Sequence, residues 1–109
     1  MAFSTVQKEV DDWISQFEEG YFAPLPMLGR LTEEVGELAR ALMHHYGGKN
    51  PKAGEDAGDV GEEIADAIFV LVCLANSLNI DLDEKFGAMM KKYRERDADR
   101  WTRKPWTDG

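Results

Sequence analysis

Apolar residues recur at helical spacing along nearly the whole chain. Phe3, Val6, Val10, Trp13, Ile14 and Phe17 fall three and four residues apart, which predicts an amphipathic helix with one buried face. Ser4 and Gln7 fit a capping box at its start. The stretch Gly20-Tyr21-Phe22-Ala23-Pro24-Leu25-Pro26 breaks the pattern, because proline pushes its predecessor out of helical geometry. A second helix is predicted from about Pro26 to Tyr46, with Leu28, Leu31, Val35, Leu38 and Leu42 as its stripe and Gly47-Gly48 as its stop. Residues 47–58 read as a polar, mobile loop. Asp59 with Glu62 opens a third helix reaching about Leu78, and Asp81 with Glu84 opens a fourth on the stripe Leu82, Phe86, Met89, Met90 and Tyr93. Alternating patterns are missing, so no strand is expected. The fold class is all-α, a four-helix bundle over residues 1–97, followed by a C-terminal basic arm at 98–109.

The third helix is apolar almost all round from Ala67 to Leu78. Such a helix must be buried on every side, which four helices of one small chain can barely arrange. A second subunit follows, giving a homodimer or homotetramer.

Two acidic signatures interrupt the apolar stripes: Glu33-Glu34-Val35-Gly36-Glu37 and Glu62-Glu63-Ile64-Ala65-Asp66. Residues three apart on a helix share a face, so Glu34 with Glu37, and Glu63 with Asp66, form paired oxygen donors. A short connection makes the two helices antiparallel, and the four carboxylates meet. A solvated helix face is the ordinary fate of an acidic pair. Here Arg30 and Arg40 are the only basic residues near the first signature, and residues 55–66 carry six acids and no base. Like charges at this spacing destabilise a helix, so their presence calls for a cation. The hard ion that takes oxygen ligands and also binds phosphate is Mg2+, with Mn2+ as a substitute. Gly36 and Gly61 lie one or two residues from these acids, where glycine costs about 1 kcal/mol relative to alanine. A close approach would explain them, and first-turn placement is a plainer account for Gly61.

Charge narrows the partners. The chain has 109 residues and a net charge of −8, from 13 basic and 21 acidic residues. Residues 1–90 carry −11 and residues 91–109 carry +3, so the body of the protein is unsuited to a nucleic-acid backbone, which is held by Lys and Arg. One cysteine, Cys73, excludes an intramolecular disulfide and reads as packing. No stretch of about 20 apolar residues suggests a membrane span, and with no secretory leader in evidence a cytoplasmic location is expected.

The order Leu31-x-Glu33-Glu34-x-x-Glu37-Leu38, a spacer, Glu62-Glu63-x-x-Asp66, an apolar continuation and a basic fourth helix resembles the MazG-like nucleotide pyrophosphohydrolases over about residues 28–96. The run from Phe69 to Leu78, with Arg96-Asp97-x-Asp99-Arg100-Trp101-Thr102-Arg103-Lys104, is similar to the short stand-alone bacterial members of the YpjD type. The resemblance implies an all-α oligomer that binds Mg2+ and splits nucleoside triphosphates between the α and β phosphates, giving monophosphate and pyrophosphate. House-cleaning of non-canonical nucleotides is suggested at the level of the family. Glu34, Glu37, Glu63 and Asp66 match the family's metal-binding positions, and Glu33 and Glu62 match further acidic ones.

In chemical terms, a cation held by these acids would lower the pKa of an attacking water while a free carboxylate, Glu33 or Glu34, takes its proton. Lys85, Lys92 and Arg96 fall within about 40 degrees on the fourth helix. Lys92 and Arg96 are the expected phosphate ligands, and Arg100, with Arg103 and Lys104, is placed to close over the nucleotide. His44 and His45 suit the end of the second helix as surface groups. Trp13, Trp101 and Trp106 are large enough to stack on a base, though core and interface roles are commoner. Two rival classes stand beside the enzyme: a catalytically idle helical nucleotide- or metal-binding module, and a di-iron bundle, which would need Glu-x-x-His motifs absent here.

Overall fold

A computed structural model describes residues 2–105. It contains α1 (Phe3–Ile14), α2 (Pro24–Tyr46), α3 (Val60–Ser77) and α4 (Leu82–Arg96), and no strand among the described residues. The two local caps are as expected: the Asp59 side chain accepts from the Glu62 N–H at 3.0 Å and Asp81 from Glu84 at 3.2 Å. The α3–α4 turn is a Schellman motif, with Asn79 at φ 56°, Asn79 N–H donating to Asn76 O and Ile80 N–H to Ala75 O.

Two helix starts differ from the sequence reading. α2 begins at Pro24 rather than Pro26, because Ala23 is extended and a proline in the first turn lacks only an N–H that would have no partner anyway. α1 has no Ser4–Gln7 capping box. Its first N–H groups are satisfied from the far end of the chain: Phe3 donates to Asp83 Oδ1 at 3.0 Å and Ser4 to Asp83 Oδ2 at 3.2 Å. Gln7 is thereby free for another task. Its amide donates to Asn76 Oδ1 and the Ile80 carbonyl and accepts from the Leu82 N–H, tying α1 to the turn between α3 and α4. Asn76 donates in turn to the Gln7 carbonyl and the Tyr21 hydroxyl, which itself donates to Asp11 at 2.6 Å.

α2 and α3 pack along their length as an antiparallel pair, and α1 lies across α3. Val10, Met27, Val72 and Cys73 form the shared core, flanked by Ile14, Tyr21, Leu74 and Leu82. Burial of each Val or Met there contributes about 1.5–3 kcal/mol. At the far end, Gly58 at φ 82° lies against Ala41, and a Cβ on it would sit 3.3 Å from the Ala41 methyl. Glycine is needed there twice over, for the turn and for the fit.

α4 meets α1 near its start and then leaves the α2–α3 pair, without a buried residue of its own. The radius of gyration is therefore 18.4 Å, whereas a compact domain of about 100 residues has about 13 Å. The all-round apolar α3 spends one side on α2 and α1. Its other side presents Ile64, Ile68 and Leu71 to solvent, and α2 exposes Leu28, Val35 and Leu42. No single helix among the described residues is long and apolar enough to cross a membrane.

Asp83 offers a test of the long-range cap. Burial works to raise its carboxyl pKa, but the hydrogen bonds from Phe3 and Ser4 outweigh it and hold it below the ordinary 3.8. A depressed folded pKa stabilises above the unfolded value and loses that contribution as pH falls through the folded one. Asp83→Asn should therefore melt below wild type at pH 7 and pH 5, with the gap closing only once pH drops under 3.8, as followed by circular dichroism.

Candidate metal centre

Antiparallel packing of α2 on α3 sets Glu34 opposite the first two turns of α3. Glu34, Glu63 and Asp66 each direct one carboxylate oxygen into a common space, with all three oxygens within 4.8 Å of one another. The Glu34 side chain is only 17% exposed, Glu63 is half-buried and Asp66 faces solvent. Glu63 Oε2 is buried without a hydrogen-bond partner. Burial, reinforced by the negative charges of Asp66, Glu37, Glu34 and Glu62, pushes the Glu63 carboxyl above its ordinary value. An acceptor that is desolvated, unpaired and surrounded by like charge is a poor arrangement for an empty protein and a good one for a cation. The donors are oxygen alone, which suits Mg2+ or Mn2+ and gives nothing to ions that favour nitrogen or sulfur.

The remaining acids are placed differently. Glu37 lies close enough to bear on Glu63, but its Oε2 sits 3.8 Å from Arg40 Nη1, outside the group of three. Arg40 Nη2 also donates to Glu55 at 2.9 Å, so this arginine bridges α2 to the following loop. His45 Nε2 meets the Gly58 carbonyl at 2.7 Å and fastens the same loop a second time. The loop expected to be mobile is thus held at both residues, and His45, exposed as expected, also serves as a tether. His44 is half-buried, with its Nδ1 unpartnered. Glu33 and Glu62 are exposed and lie outside the three-carboxylate group. No atom lies within 4 Å of a Cβ on Gly36, so no close approach explains it within this chain. Gly61 touches only Asp59 Oδ1, in keeping with its place in the first turn.

The basic residues gather elsewhere. Arg96 forms a two-pronged contact with Asp97 at 3.1 and 3.0 Å, Arg100 approaches the same carboxylate at 3.8 Å, and Lys92 and Arg96 both lie over the Tyr93 ring. The Arg96 hydrogen bond lowers the Asp97 carboxyl pKa, burial opposes it, and the charges of Arg96 and Lys92 add to the lowering. These groups sit on α4 and just beyond it, an element that does not pack along the α2–α3 pair. Trp101 is exposed beneath Arg100, while Trp106 and the rest of the arm from residue 106 lie outside the described residues.

Arg30 escaped the sequence reading except as a nearby charge. It stands one turn before Glu34, with Nε 3.7 Å from Glu34 Oε1, and also lines an apolar cavity toward Cys73. Its i, i+4 spacing to Glu34 was the available signal. Burial pushes the Cys73 thiol up, with the Arg30 charge working against it, consistent with a packed rather than reactive sulfur.

Residues 22–101 match the MazG nucleotide pyrophosphohydrolase domain, and the chain belongs to that family. It is accordingly a hydrolase acting on phosphoric anhydrides, with a nucleotide as substrate. YpjD of Bacillus subtilis (strain 168) is 60% identical over 99 residues, covering 91% of this chain and 89% of YpjD. The crystal structure of Bacillus subtilis YpjD superposes with a TM-score of 0.76 at 55% identity, over 85% of this chain and 95% of that one. That of the Bacillus-conserved MazG protein, a nucleotide pyrophosphohydrolase, gives 0.75 at 48% identity, over 92% and 97%.

If the carboxylates repel one another until a cation joins them, Glu63→Gln in chelator should melt no lower than wild type at pH 7, because the substitution removes a charge raised in pKa by its surroundings. Added Mg2+ should raise the wild-type melting temperature and raise that of the variant less. A wild type indifferent to Mg2+ and Mn2+ would remove the centre.

Proposed function

We propose that the protein is a Mg2+-dependent nucleoside triphosphate pyrophosphohydrolase that cleaves between the α and β phosphates, releasing a nucleoside monophosphate and pyrophosphate. The observation that carries this reading is Glu63, which has a buried, unpaired Oε2 and shares a close carboxylate group with Glu34 and Asp66 within a MazG domain. Glu34, Glu63 and Asp66 would hold Mg2+, with Mn2+ as a substitute, and Glu37 would join them by turning away from Arg40. When bound, such an ion neutralises charge on the phosphates and acidifies an attacking water. Glu33, exposed beside the group, or the outer oxygen of Glu34 takes the proton from that water. Arg30 limits the charge on Glu34 and keeps its carboxylate aimed across the pair.

The phosphate ligands are assigned to Lys92 and Arg96, with Arg100 from the start of the arm. α4 diverges from the carboxylates of its own chain, so these residues are best used toward the metal centre of a second copy. The open faces of α2 and α3 supply the apolar surface for that homo-oligomer, a dimer or tetramer. Residues 1–97 act as the catalytic unit and 98–109 as its arm. Work on nucleoside triphosphates, including non-canonical ones, belongs in the cytoplasm.

Incubation with Mg2+ and a panel of triphosphates should yield monophosphate and pyrophosphate in equal amounts by ion-exchange chromatography, and diphosphate with inorganic phosphate would overturn the cleavage position. Glu34→Gln, Glu37→Gln, Glu63→Gln and Asp66→Asn should each lower kcat by at least about 100-fold with the helical signal intact, since an amide keeps the shape and loses the charge. Lys92→Gln and Arg96→Gln should reduce turnover while leaving the Mg2+-induced rise in melting temperature unchanged.

Ile68→Lys with Leu71→Lys tests assembly without disturbing the core, because both side chains are exposed in the single chain. Wild type should sediment as a dimer or tetramer and the double variant as a folded monomer. A monomeric wild type at micromolar concentration would exclude the interface.

A further inference from the structure

A cavity of about 150 Å³ lies between the start of α2, the second half of α3 and the end of α1. Its walls are apolar apart from one cation, and the side chains that shape it are Tyr21, Phe22, Met27, Arg30, Phe69 and Cys73. Arg30 is also the residue nearest the metal centre, 3.7 Å from Glu34. The cavity is therefore one helical turn from the carboxylates on both sides. Arg30 precedes Glu34 by four residues on α2, and Phe69 follows Asp66 by three on α3, and a turn rises about 5.4 Å. In a nucleotide the base and the α phosphate are likewise joined through a single pentose.

We infer that this cavity seats the nucleobase and that Arg30 selects bases bearing a carbonyl on the edge opposite the sugar. The inference rests on the nucleotide reading above. Phe22 and Phe69 offer aromatic faces for stacking, which every base can use. The Tyr21 hydroxyl is spent on Asp11 and Asn76, so only its ring is left to the cavity. Selection then falls to Arg30, whose guanidinium donates and never accepts. Guanine O6 and uracil or thymine O4 accept from it, whereas adenine and cytosine present an amino group at that place and meet donor with donor. Among the described residues no other ionised side chain lines the cavity.

The test is equilibrium binding, which needs no turnover. Calorimetry with GMP, UMP, AMP and CMP on the full chain should give GMP and UMP at least about tenfold tighter binding than AMP and CMP. Phe22→Ala, on a side chain that is 57% exposed and so indifferent to folding, should weaken all four by about tenfold through lost stacking. Cys73→Met, which fills the cavity from its floor, should do the same, and in both variants the Mg2+-induced rise in melting temperature should stay as in wild type. Arg30→Gln, whose amide both donates and accepts, should erase the preference among bases. Affinities unchanged in Phe22→Ala and Cys73→Met, or losses that track a change in sedimentation, would overturn the base seat and mark the cavity as an assembly contact. Equal binding of all four monophosphates by wild type would overturn the role of Arg30. Absence of pyrophosphate release from any triphosphate is a separate result and strikes the parent reading alone.

Discussion

Mutual repulsion among Glu34, Glu63 and Asp66 is the constraint around which this protein is arranged. Two helices with acids on their facing sides would separate if left to electrostatics, and they stay together because Val72, Cys73 and Met27 pack one end while Gly58 and Ala41 lock the other. The carboxylates sit between these two anchors. Packing free energy thus holds the three carboxylates in place, so that a cation bound there as proposed would meet a formed site and would not have to gather it.

The same logic explains the arginines. Arg30 and Arg40 stand one turn outside the acids on α2 and engage Glu34 and Glu37 at 3.7 and 3.8 Å, distances that soften charge without the short, directional bonds that would occupy the oxygens. Arg40 reserves its 2.9 Å hydrogen bond for Glu55 in the loop. Strong internal pairing would occupy the oxygens that the proposed cation site needs, and among the described residues Glu34, Glu63 and Asp66 make no short ion pair.

How much could be read from the chain depends on how far apart the interacting residues lie. The caps at Asp59 and Asp81 act over three residues and were legible from spacing alone, whereas the paired acids were legible only in part: Glu63 and Asp66 share the group of three, but Glu37 stands outside it beside Arg40. The α1 cap by Asp83 spans 80 residues and has no local signature, and Ser4 and Gln7 imitate a capping box they do not form. The angular cluster of Lys92 and Arg96 on one face of α4 was correctly placed on its helix, but the sequence holds no mark of α4 turning away from α2 and α3. That departure follows from how α1 and α4 are joined, through Gln7, Leu82 and Asp83, which only the folded chain brings together. The cavity beside Arg30 is also assembled from separate segments, the end of α1, the break at Gly20–Phe22, the start of α2 and the apolar run of α3, and none of them marks it locally.

The Asp83 contact gives the chain an order of assembly. A protein is synthesised from its first residue, and α1 leaves the ribosome long before the carboxylate that completes its first turn has been made. Asn76, Ile80 and Leu82, the anchors of Gln7, arrive almost as late. α1 is thus synthesised before α2 and α3 yet is among the last to be secured, and a nascent chain truncated before residue 76 carries α1 without these anchors. The α2–α3 pair needs only residues up to Ser77, so that pair, and the acids it bears, is complete in the nascent chain before Asp83 is available to fasten α1.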